Sequence, residues 1–182
     1  MSSQIERAAK VIKKGGVVAY PTEYCFGLGC DPLNESAVRR ILKIKARSEK
    51  QGVILIAANT AQVEQFADLN AAPQLANIKA SWPGAVTWIL PARSDVPAFI
   101  KGEHPSVAMR VTDHKVAAAL CHAVGSAIVS TSANRHAMPE LCSAQAVTEE
   151  LGSEVDFVVQ AAVGGATRAS EIRDGVSGAN LR

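Results

Sequence analysis

Apolar residues recur along this chain in two periods. Ile5, Ala8, Ala9 and Ile12 stand three and four apart, the spacing of one buried helix face, and Gly15-Gly16 closes that helix. Residues 17–20 form a short unbroken apolar run, read as a buried strand that Pro21 ends. Phe26-Gly27-Leu28-Gly29-Cys30 reads as a second extended stretch whose glycines admit close backbone approach. Asn34 suits the N-cap of a helix carrying Val38, Ile41, Leu42 and Ile44. That helix runs into Lys43, Lys45, Arg47 and Lys50, cations that complement the negative end of its dipole.

The alternation continues to the end of the chain. Strands are predicted over 53–57, 85–90, 107–111, 127–130 and 157–160, and helices over 60–67, 73–80, 113–124 and 144–151. Trp82-Pro83-Gly84 marks a turn. Strands alternating with helices imply one layered α/β domain with a largely buried sheet. No repeat, low-complexity tract or linker divides it, so residues 1–182 are read as a single domain.

Composition narrows the class without naming it. The 182 residues are 48% hydrophobic and 20% charged, with mean hydropathy +0.10, which excludes a disordered chain. A net charge of +2 is too weak by itself to argue for nucleic acid. No apolar run suits a bilayer and the first residues lack a signal-peptide core, so the expected compartment is the cytoplasm. Cys25, Cys30, Cys121 and Cys142 form no C-x-x-C pair and the histidines no zinc pattern, so the thiols read as structural and no protein metal site is expected.

Neither a Walker-type phosphate loop nor G-x-G-x-x-G nor G-x-S-x-G is present. Three other segments carry candidate chemistry. Tyr20-Pro21-Thr22-Glu23 puts polar side chains beyond a strand's carboxyl end, where α/β sheets place ligands, and reads equally as a strand-ending turn. Lys45 and Arg47 share no helix face, but a helix ending between them lets both converge on one anion; the bland reading is a solvated basic helix end. Ser130-Thr131-Ser132-Ala133-Asn134 offers hydroxyls and an amide to phosphate or carboxylate oxygens, or simply caps a turn. Arg110 interrupts an apolar strand and needs an acid, whether a ligand carboxylate, Asp113 or another residue.

In this order and spacing the segments, together with Trp82-Pro83-Gly84, residues 107–114 and Ser170-Glu171-Ile172-Arg173-Asp174, resemble the TsaC/YrdC family over essentially the whole chain. The match is nearest to its short bacterial form, the threonylcarbamoyl-AMP synthases. The resemblance implies a YrdC-like α/β fold, a twisted mixed sheet flanked by helices around a positively charged groove, without the C-terminal domain of the longer form. It implies synthesis of threonylcarbamoyl-AMP and pyrophosphate from L-threonine, bicarbonate and ATP with Mg2+, for modification of tRNA next to the anticodon. The implied partners are those substrates, proteins that transfer the threonylcarbamoyl group downstream, and a tRNA or RNA contact.

Carried over by position, Lys45, Arg47, Ser132 and Asn134 match the K-x-R and S-x-N motifs linked to ATP phosphates, with Lys45 and Arg47 expected to act in catalysis. Thr22, Arg110 and Ser130 match threonine-side positions, Arg110 facing the carboxylate. Ser106 and Arg182 match nucleotide-side positions. The chain departs from its relatives at Ser48, at Gly52-Val53, at Ile56 (where the longer form has a threonine-contacting His), and at Arg135-His136-Ala137. Gln51 and Glu140 replace an Asn and a Ser that contact the nucleotide. A non-enzymatic RNA-binding module, or a paralogue with another nucleotide or acyl substrate, are the rival readings.

Overall fold

The computed structural model describes residues 1–182. Helix α1 (Ser2–Lys13) buries Ile5, Ala8, Ala9 and Ile12, the stripe its spacing predicts. Strands β1 (Val18–Pro21) and β2 (Phe26–Gly29) pair antiparallel, and Pro21, expected to end the strand, is its last paired residue. Helix α2 (Glu35–Ile44) begins where Asn34 Oδ1 accepts the Ala37 N–H at 3.0 Å. There follow β3 (Ile54–Ala57), α3 (Thr60–Val63), α4 (Leu75–Ser81), β4 (Val86–Pro91), α5 (Ala98–Lys101) and β5 (Ser106–Val111). The chain then runs through α6 (Lys115–Val124), β6 (Ile128–Val129), β7 (Thr131–Ser132), α7 (Ala144–Leu151), β8 (Phe157–Val158) and β9 (Glu171–Asp174).

The strands form two mixed sheets, ordered β7-β2-β1-β8 and β6-β3-β5-β4-β9. Alternation alone did not show this division, and its cause lies at Ser130. The stretch predicted as one strand over 127–130 breaks there: β6 pairs with β3, and two residues later β7 pairs with β2 in the other sheet. The sheets approach closely because of Gly29, where an added Cβ would lie 2.6 Å from the Tyr20 ring and 2.8 Å from the Val129 carbonyl. The helix expected over 60–67 stops at Val63, because Asp68 N–H bonds to Pro91 O and Arg93 N–H to Phe66 O, tying that segment to the end of β4. Neither α5 nor β7 was foreseen; both are too short to show a period.

Helices α1 and α6 pack over an apolar cluster that includes Ile12, Tyr20, Ile56, Leu120 and Ile128, all fully buried. A larger core, with Phe26, Leu28, Leu55, Trp88 and Met109, fills the rest. Ile56, at the departure from the longer family form, therefore belongs to the core and contacts no groove. On β5, Val107, Met109 and Val111 point into the core, and the alternate residues Ser106, Ala108 and Arg110 line the opposite face, where the cavities lie.

Candidate active site

The sequence brings Lys45 and Arg47 together through the way α2 ends. Lys45 caps the helix, Ala46 takes a left-handed φ of 45°, and Arg47 N–H bonds back to Leu42 O at 3.0 Å while Ala46 N–H bonds to Lys43 O at 3.1 Å. This paired closure normally uses glycine at the left-handed residue. It turns the chain so that two residues not on one helix face line one cavity of about 220 Å³ between the sheets. Thr22, Arg110, Ser130, Ser132 and Arg182 line it too. Ser106 does not; it lines a neighbouring cavity of about 200 Å³ walled by Ile54, Ile89, Ala108 and Ile172, with Gln51 and His104 at its edge. Asn134 lies on a third cleft, with Arg135 and His136. Arg47 lines all three.

The two basic residues differ in state. Lys45 Nζ donates to Ser132 O at 2.8 Å, Asn134 O at 2.9 Å and Ser132 Oγ at 3.3 Å, and also contacts Asn134 Oδ1. Ser132 Oγ in turn bonds to Asn134 Oδ1 at 2.8 Å. Three ammonium donors are thus committed to the S-x-N loop. Burial, reinforced by the Arg47 charge, lowers the Lys45 pKa from 10.5 to about 8. Arg47 is held differently: its Nε is buried and has no hydrogen-bond partner, and no acid pairs with it. Burial first, then the Arg182 charge, lowers its pKa. An uncompensated guanidinium in a half-buried groove is a strong anion receptor.

At the other end of the cavity Arg110, 6% exposed, finds its acid in Glu23, with Nη1 and Oε2 2.6 Å apart. The N–H is directed off the oxygen, so the pair is an ion contact without an aligned hydrogen bond. Glu23 Oε1 accepts from Thr112 Oγ1 at 2.7 Å and from Asp113 N–H at 3.1 Å. Burial pushes the Glu23 carboxyl up, but the Arg110 charge beside it, helped by the Thr112 hydroxyl, outweighs burial and holds it below 4.5. Thr22 Oγ1 donates to Cys25 O at 2.8 Å, which leaves its oxygen free to accept. Ser130, at the crossing between sheets, is held by its N–H to Ile54 O at 2.8 Å.

The family model for Sua5/YciO/YrdC proteins, described as "Telomere recombination", matches residues 10–181. The chain belongs to the Sua5/YciO/YrdC family. A threonylcarbamoyl-AMP synthase of Nitrosococcus oceani is 45% identical over 98% of this chain and 97% of its own length. That of Halorhodospira halophila is 48% identical over 98% of this chain and 94% of its own. A solved structure of P. abyssi Sua5 complexed with L-threonine is 32% identical, with TM-score 0.88 over 96% of this chain; the chain spans about half of that protein, 51%.

Within this Sua5/YciO/YrdC fold, several cavity residues escaped sequence reasoning. Glu23 stood in a quoted motif but had no assigned role. Thr87 and Ser170, whose hydroxyls lie 3.0 Å apart, and Arg168 come from β4 and the loop before β9; Ser170 stood in a quoted motif without a role, and no motif marked Thr87 or Arg168. Cys25 also lines the cavity; burial, then Cys142 and Glu140, raise its thiol to about 12, so it is no nucleophile at neutral pH. Cys142, expected to be a structural thiol like the others, is exposed. No helix is long and apolar enough to cross a membrane.

Proposed function

We propose that this chain is a threonylcarbamoyl-AMP synthase, joining L-threonine, bicarbonate and ATP into threonylcarbamoyl-AMP and pyrophosphate, for modification of tRNA. The observation that carries the reading is Arg47: an unpaired, half-buried guanidinium at the junction of three compartments. Threonine occupies the compartment of Thr22, Arg110 and Ser130. The nucleoside occupies the apolar one with Ser106 and Gln51, and the outer phosphates run toward Asn134. Near-full-length similarity to proteins named for this activity supports the assignment.

The chemistry follows from this arrangement. Threonine's neutral amine adds to bicarbonate-derived CO2 and gives up a proton to solvent, leaving a carbamate. A carbamate oxygen attacks the α-phosphorus, and its bond to the pyrophosphate oxygen breaks. Both reactants are anionic, so their approach is opposed by charge. Arg47 and Arg182 lower that repulsion and stabilise the departing pyrophosphate, while Lys45 fixes Ser132 and Asn134 as phosphate contacts. Among the cavity's carboxylates Glu23 lies in ion contact with Arg110, whereas the side chain of Glu140 has no ion pair or hydrogen bond. Glu140 with the ATP phosphates therefore suits a Mg2+ that keeps most of its water, and the ion would add neutralising charge there.

The reading is tested by pyrophosphate release in the presence of ATP, Mg2+, bicarbonate and L-threonine. Release that falls to background when threonine alone is omitted supports it. Release indifferent to threonine contradicts it.

A further inference from the structure

Two buried side-chain polar atoms in the chain lack a hydrogen-bond partner, Glu23 Oε2 and Arg47 Nε, and both residues line the main cavity. A buried polar atom without a partner calls for a reason. For Arg47 the phosphates of the nucleotide supply one. Glu23 has none yet: a carboxylate in the cavity that Lys45, Arg47 and Arg182 line opposes the binding of the anions those residues suit.

Its geometry suggests what it awaits. Oε1 is satisfied by Thr112 and Asp113. Oε2 touches Arg110 at 2.6 Å, yet no N–H points squarely at it, and the Arg110 guanidinium makes no aligned hydrogen bond to any other side chain. An Arg held for structure alone favours the bidentate fork to its carboxylate. This pair instead keeps hydrogen-bonding capacity on both partners, one acceptor and one set of donors, side by side. An α-amino acid carries the complementary groups on one carbon, an amino group beside a carboxylate.

We propose that Glu23 Oε2 receives the α-amino group of the amino-acid substrate while Arg110 takes its carboxylate. The Arg110–Glu23 contact is then a stand-in for the substrate, exchanged on binding for two ligand contacts as the guanidinium swings from Oε2 to the carboxylate. Glu23 is a substrate-binding residue that selects for an amine-bearing acid over a plain hydroxy acid. The inference rests on the synthase reading for the identity of the amino acid.

Calorimetric titration of the whole chain with L-threonine and with β-hydroxybutyrate, the same skeleton without the amine, tests it. The wild type is expected to bind threonine at least about tenfold more tightly, the value of one charge-assisted hydrogen bond. Glu23→Gln is expected to lose about tenfold or more for threonine and to bind β-hydroxybutyrate unchanged or more tightly, because Arg110 is freed. Equal losses for both ligands would overturn the proposal and leave Glu23 a support for Arg110. If the variant does not fold, the wild-type preference decides alone: equal affinities overturn the proposal. Absence of any threonine binding by the wild type would overturn the synthase reading as well, so the two failures are distinguishable.

Discussion

Lys45 Nζ lies 2.8 Å from the carbonyl oxygen of Ser132, so the K-x-R and S-x-N motifs are joined by the protein itself. The sequence leads one to expect both Lys45 and Arg47 at the phosphates; in this structure the lysine bonds to the S-x-N loop. That role depends on its proton. With a pKa of about 8, Lys45 keeps its charge and third donor below that pH and loses both above it. The kcat/KM for ATP, which reports the free enzyme, is therefore expected to fall as pH rises through about 8, and Lys45→Arg to remove that step. The sign for stability is opposite. The unfolded lysine, with its ordinary value of 10.5, binds more protons than the folded one between pH 8 and 10.5, so folding gains as pH rises through that window. Activity and stability moving together across it would contradict this.

Arg47 has no acid partner and stands near Arg182. Removing it leaves no buried charge unpaired and relieves repulsion. Arg47→Ala is expected to lower kcat/KM by at least about a hundredfold, the scale for losing a positioned donor to developing charge. Its urea midpoint is expected to be unchanged or higher than wild type. A large loss of stability would mean that the guanidinium is a structural group.

Arg110 is the contrasting case. It is both buried and paired, so Arg110→Ala strands the Glu23 carboxylate and is expected to cost about 3 kcal/mol of stability. In variant that remains folded, the KM for threonine is expected to rise far more than that for ATP. Equal increases would assign Arg110 to structure alone.

Ala46 carries a backbone conformation suited to glycine, with φ 45°. The left-handed region costs a residue with a Cβ roughly 1–2 kcal/mol, offset in part by glycine's greater freedom when unfolded. Ala46→Gly is expected to raise the melting temperature by about 2 °C. A lower melting temperature would show that the turn is not strained.

The elements with a strong period were legible from the chain. The stripe of α1, the Asn34 cap and the limits of α7 all follow from local pattern. The break at Ser130 was not, because a crossing between sheets changes neither hydropathy nor turn chemistry. The same limit applied to the site. Thr22, Lys45, Arg47, Arg110, Ser130, Ser132 and Arg182 meet in one cavity as expected together. That Lys45 is already satisfied and Arg47 is not depends on which way two side chains turn after Ala46, and that Glu23 rather than Asp113 pairs with Arg110 depends on how the β1–β2 hairpin meets β5. Neither is encoded in spacing.

The most direct test of the account follows the carbon of bicarbonate. The purified chain is incubated with ATP, Mg2+, L-threonine and heavy-carbon bicarbonate, and the adenylate formed is weighed by mass spectrometry. The account predicts a threonine-containing adenylate one mass unit heavier than that made from ordinary bicarbonate. A threonine adenylate whose mass ignores the label, or no adenylate at all, would contradict it.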